Sequence, residues 1–239
     1  MHLLIKLITT ALLTSSLFAV CQTPNVKFYG ALREIMFEGN LSGRVSLATL
    51  KEQPHLYGLG ALKDLEGEIL VLDGKAYISR VADGKVVISN AMEDEAALLV
   101  TAQVVSWSAH PISDAIENMD QLESLINKYA ISAGLAPDKP FPFRIEGNAQ
   151  SAEWHVIKWP AGDTHHTHAK HKASGLHGKI TGTIEVLGFY SEHHKAIFTH
   201  HTRNSHLHVL NQAQTLAGHL DNLALTANAV LYLPSPTKK

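Results

Sequence analysis

Three histidines are spaced so that one metal ion could use all of them: His206-x-His208, followed by His219. The segment 205–210, SHLHVL, reads as a β-strand of branched and apolar residues with turn residues before it. Side chains two apart on a strand share a face, so His206 and His208 project together, with Leu207 and Val209 on the other side. The stretch QAQTLAG is long enough to turn and bring His219 back to the same point. Three neutral imidazoles facing one point are the protein half of a catalytic zinc site, which keeps a fourth position for water or substrate. Such an ion polarises substrate oxygens or activates a bound water.

The scaffold that must hold these groups is of ordinary globular composition. The chain has 239 residues, 45% of them hydrophobic, which is enough for one large domain or two small ones. Net charge is −2, and the one basic run is Lys238-Lys239, which argues against nucleic acid and against an anionic membrane surface as partners. Histidine is concentrated in the C-terminal half: thirteen of the 16 lie between His155 and His219. Those of residues 165–171, between Gly162 and Gly175, read as a polar, solvated loop with no rigid element to fix ligand geometry.

Residues 1–21 read as an export signal. Lys6 gives a short positive start, and residues 7–20 form an apolar stretch of signal-core length, too short and too rich in Thr and Ser for a membrane span. Ala19-Val20-Cys21 offers a cleavage site, giving a mature start near Gln22 and a periplasmic or secreted protein. Lipid anchoring at Cys21 is the second reading, because Val20 fits that signal poorly. Either way no cysteine remains in the folded domain, whose stability must then rest on its core or on metal.

Along the mature chain, residues 29–37 read as a short helix stopped at Gly39-Asn40. Residues 68–72 (EILVL) read as a strand, and Asp73-Gly74 and Asp83-Gly84 as hairpin turns of a meander running through residues 76–79 and 86–89. Residues 98–107 suggest a further strand. Asp114 with Glu117 suggests a helix start, with helical spacing from Met119 to Ala133 and a stop at Gly134. The prolines of residues 137–143 suggest a connector. Two strings recur: Phe37-Glu38-Gly39-Asn40 is echoed at Ile145-Glu146-Gly147-Asn148, and GEILVL from Gly67 at GTIEVL from Gly182. The expectation is an α+β fold of two related β-rich halves, residues 22–136 and 137–239, packed together as mixed or antiparallel sheets with few helices, with the metal site in the second half.

Four strings in order resemble the alpha-acetolactate decarboxylase family. These are Gly58-Leu59-Gly60-Ala61 running into Leu65-Glu66-Gly67-Glu68, then Phe143-Arg144-Ile145-Glu146-Gly147, then Gly182-Thr183-Ile184 with Gly188-Phe189, and finally His206-Leu207-His208 with Gly218-His219. The resemblance runs from about residue 28 to about residue 220. It implies Zn2+ on His206, His208 and His219, proton transfer by Glu68, and substrate contact by Arg144. It also implies a small 2-hydroxy-3-keto acid substrate, 2-acetolactate, decarboxylated to acetoin, with zinc stabilising the electron pair left by carbon dioxide. A homodimer is compatible with this reading.

Three departures from the family pattern stand out. Ala61 replaces a threonine. Residues 152–158 (AEWHVIK) replace a segment that carries a second arginine. No Asp or Glu follows Asp221, where the family has a downstream glutamate. Two alternatives therefore stay open: a zinc-dependent hydrolase of small esters on the same scaffold, and a non-catalytic exported protein that binds metal or ligand.

Overall fold

Alternating apolar residues and two-residue turns build the first of two antiparallel sheets. The computed structural model describes residues 24–163, 165 and 167–235, so the expected export segment and Cys21 lie outside the described residues. The first sheet contains β1 (Lys27–Tyr29), β2 (Val45–Ser46), β3 (Leu56–Leu62), β4 (Glu68–Leu72), β5 (Lys75–Ala82), β6 (Lys85–Ser89) and β7 (Glu95–Gln103), and runs β1-β7-β3-β4-β5-β6 with β2 beside β7. Asp73-Gly74 and Asp83-Gly84 turn the chain between β4 and β5 and between β5 and β6. Both residues of each pair have positive φ, which matches the right-handed twist of the flanking strands.

The second sheet contains β8 (Trp107–Ile112), β9 (Phe141–Val156), β10 (Leu176–Tyr190), β11 (Ser205–Asn211), β12 (Ala217–Leu225) and β13 (Ala229–Pro234), in the order β10-β11-β12-β9-β13-β8. The chain passes from one sheet to the other between β7 and β8, so β8 pairs with β13 although it precedes the proline-rich connector. The strand expected over residues 98–107 is thus two strands of different sheets. Each strand pairing among the described residues is antiparallel.

Because β10 pairs with β9 as well as with β11, strands β9, β10, β11 and β12 form a closed ring of hydrogen-bonded neighbours. The sheets meet where β4 and β5 face β12 and β9. Leu59, Leu70 and Val100 from the first sheet pack there with Leu187, Phe189 and Leu210 from the second. Leu47, Ile69, Ile78 and Leu99 fill the opposite face of the first sheet, which is why β3, β4 and β7 are apolar on both sides.

There are three α-helices among the described residues. α1 (Leu32–Glu38) ends on Gly39 in the left-handed region, as the sequence suggests. α2 (Met119–Ser132) begins later than the Asp114–Glu117 pair predicts, because the Asn118 side chain caps it by accepting from the Gln121 N–H at 3.0 Å. It buries Leu122 and Ile126 against the second sheet. α3 (His168–Ala173) occupies part of the expected loop, with Thr167 accepting from the Lys170 N–H. No helix among the described residues is long and apolar enough to cross a membrane.

One sequence echo is not structural. Phe37 and Glu38 end near or in α1, whereas Ile145–Asn148 lie within β9. The GEILVL and GTIEVL strings do fall on strands, β4 and β10.

Candidate metal centre

Strand register gathers the histidines. His208 on β11 stands opposite His219 on β12, His219 opposite His155 on β9, and His155 opposite His177 on β10. Directly opposed residues on neighbouring strands lie on one face, so these four form a row across the ring. His206, two residues from His208, adds a fifth imidazole on that face. Close approach of the strands depends on Gly218, where an added Cβ would meet the His155 carbonyl oxygen at 2.6 Å.

The sequence-predicted triad is brought together. Ring centres are 5.1 Å apart for His206–His208, 5.1 Å for His206–His219 and 5.6 Å for His208–His219. Imidazoles held at about 2.0–2.1 Å from one tetrahedral ion have ring centres roughly 5 Å apart. His208 is fully buried and its ring makes no side-chain hydrogen bond, only a backbone contact with Ile69, while Nδ1 of His206 has no partner. A buried ring nitrogen left without a partner costs about 1–3 kcal/mol, unless an ion takes its lone pair. Burial, and then the mutual proximity of the rings, holds His206 and His208 well below the ordinary imidazole range, and His219 is lowered as well. These are neutral imidazoles, the form that binds metal.

Glu68 joins them from the other sheet. As the first residue of β4 it is 5% exposed, with Oε2 3.7 Å from His208 Nε2 and Oε1 3.8 Å from His155 Nε2. The Ile157 N–H donates to Oε1 at 3.2 Å. Burial outweighs the pull of His155 and this N–H, and pushes the carboxyl up to about 7. Ala61, one of the departures from the family pattern, is the direct cross-strand neighbour of Glu68.

Arg144, also on β9, lies two strands from His208, because Leu187 on β10 is the direct cross-strand partner of both. Its guanidinium pairs with Glu185 and Glu146, each at 2.6 Å, and packs over the rings of Trp107 and Tyr232. Two carboxylates and two aromatic rings thus hold the guanidinium in place.

His155, His177 and Asp221 were missed as site residues. His155 lies inside the AEWHVIK departure, and nothing in its spacing marks it; only the excess of histidine from residue 155 onward pointed this way. Asp221 sits where the β12–β9 register shifts between Leu220 and Asn222. Both its oxygens are 2.9 Å from His155 Nδ1, and Oδ1 is 3.2 Å from His219 Nδ1. Burial alone would raise Asp221, but the bonds to His155 and His219 hold it far below the carboxylate range. Burial alone would lower His155, but Asp221 and Glu68 hold it above its ordinary value. His155, His177 and Asp221 each offer a ligand atom, all within 4.8 Å of one another, so these three could also hold a metal ion.

Comparison with known proteins agrees with this architecture. The sequence profile named Alpha-acetolactate decarboxylase matches residues 28–234. An alpha-acetolactate decarboxylase of Streptococcus thermophilus is 34% identical over 101 residues, a match that spans 40% of this chain and 41% of the relative's length. Among solved structures, the fold is similar to alpha-acetolactate decarboxylase from Bacillus subtilis strain 168 (TM-score 0.73, 15% identity, 89% of this chain and 86% of that one). It is also similar to a Staphylococcus aureus protein of unknown function described as similar to alpha-acetolactate decarboxylase (TM-score 0.69, 15% identity, 87% of this chain and 84% of that one). The chain belongs to the alpha-acetolactate decarboxylase family.

Proposed function

We propose that the chain is a zinc-dependent carboxy-lyase that converts 2-acetolactate to acetoin, acting outside the cytoplasmic membrane after export on residues 1–21. The observation that carries this is the convergence of His206, His208 and His219, with ring centres 5.1–5.6 Å apart, beside the buried carboxylate of Glu68. These three imidazoles would hold the ion. A divalent ion there supplies Lewis acidity toward the hydroxyl and ketone oxygens of the substrate.

The protein's own groups do the rest. Decarboxylation breaks the bond to the carboxylate carbon, leaves the electron pair on the substrate carbon and requires one proton in its place. Glu68, pushed up to about 7, is half-protonated near neutrality and so can give that proton and regain it from solvent. Its Oε1 is fixed by the Ile157 N–H, which limits the directions from which the proton can be delivered. The leaving carboxylate needs positive charge nearby. Arg144, two strands from His208 across Leu187, is the guanidinium that supplies it, with His155 on the other flank.

Purification with metal analysis, followed by a direct acetoin assay on racemic acetolactate, tests this reading. One tightly held zinc per triad and acetoin formation are expected. Ala61, beside Glu68 where the family pattern has a threonine, favours one second reading, hydrolysis of small esters by an activated water. Assaying ester hydrolysis beside acetoin formation separates the two.

A further inference from the structure

The imidazole row does not stop at the triad, and its continuation has the composition of a second ion site. His155 and His177 are direct cross-strand partners, with ring centres 5.3 Å apart, and Asp221 turns both carboxylate oxygens toward His155 Nδ1. A carboxylate serving only to orient the triad would need one bond, to His219. Here Asp221 also reaches across to β9, and His177 stands beside it without any role in the triad. Two imidazoles and a carboxylate, with ligand atoms all within 4.8 Å, are what a borderline divalent ion such as zinc or cobalt takes while keeping an open position.

We infer that His155, His177 and Asp221 bind a second divalent transition-metal ion, beside the ion of the triad, with the Asp221 carboxylate standing between the two. One ring from each set, His155 and His219, lies 4.6 Å from the other, so the sites are immediate neighbours. His155 is buried, while His177 and Asp221 are exposed, so the second ion enters from solvent and binds more weakly. Paired ions of this kind clamp two oxygens of one substrate. The second ion puts positive charge on the His155 side of the site proposed for decarboxylation. Binding itself does not depend on that reaction.

The test is a titration of the metal-depleted full chain with Co(II), followed by calorimetry and by the visible absorption of the bound ion. Two sites of unequal affinity are expected. His177→Ala should weaken the second site at least tenfold and leave the first unchanged. A variant with His165, His166, His168 and His171 all changed to Asn should keep both sites. One equivalent bound identically by the full chain and by His177→Ala would overturn the inference, as would loss of the second equivalent only in the loop variant. The triad reading fails separately, if His208→Ala keeps the tight site.

Discussion

Glu68 and His208 belong to different sheets, yet Oε2 of the one lies 3.7 Å from Nε2 of the other, and both are buried. The carboxylate arrives at the start of β4 and the imidazole from the middle of β11, so neither half of the chain carries the site alone. Glu68→Gln keeps the shape and the Ile157 contact but removes the titratable proton. It should retain full metal content and lose about 10²–10⁴-fold in acetoin formation. Turnover at the parent rate would show that Glu68 does not carry the proton.

The same substitution should change stability with a definite sign. A carboxyl raised from 4.5 to about 7 binds its proton more tightly in the folded chain. Its contribution is therefore present below pH 4.5 and is lost as pH rises toward 7. Glu68→Gln removes this loss, so the metal-free variant should gain more in thermal midpoint at pH 8 than at pH 5. Equal changes at both pH values would contradict the burial argument.

The triad works in the opposite sense. His206, His208 and His219 are all lowered, so the unfolded chain takes up protons on them first as pH falls below 6.5. Stability from these residues is complete above that pH and falls below it, and metal is released over the same range. Chelation at pH 7.5 should lower the thermal midpoint by roughly 5–10 °C, from ligand linkage of a few kcal/mol in a domain of this size. Scanning calorimetry with and without chelator checks this.

Gly218→Ala places a methyl group 2.6 Å from the His155 carbonyl oxygen, a backbone atom that cannot swing away. β12 should move off β9 and carry His219 with it. A loss of about 1–3 kcal/mol in unfolding free energy is expected, together with weaker metal retention on dialysis. Unchanged retention would mean that His219 tolerates the shift.

Arg144→Ala should destabilise without touching the metal. It strands Glu185 and removes a cation from the faces of Trp107 and Tyr232. A cost of about 1–3 kcal/mol follows from leaving half-buried partners unpaired. KM for acetolactate should rise as well, since the same guanidinium is the proposed contact for the leaving carboxylate; lost stability with KM unchanged would leave Arg144 a purely structural residue.

The sequence discloses the parts whose chemistry is local. β11 and its His-x-His face, β4, and the two Asp-Gly hairpins each follow from spacing within a few residues. His155 and His177 are different. They flank residues 156–176 and become neighbours only when β9 and β10 pair, so no short motif contains both. The resemblance placed Arg144 at the substrate because its string is shared, but the string does not reveal that Glu185 from β10 and Glu146 already hold it. The helix start was displaced for the same reason: Asp114 and Glu117 have the right types, but Asn118 has the geometry.

The ring made by β9, β10, β11 and β12 has a consequence for how the molecule breathes. Around His208, His219 and His155, strands β11, β12 and β9 are each paired on two sides and offer no free edge at which fraying can begin, so their amides exchange only through large openings. These stretches should thus be among the slowest-exchanging of the chain in deuterium, whereas residues 176–183 of β10, paired with β9 alone, should exchange faster. The cradle is built by the backbone before any ion arrives.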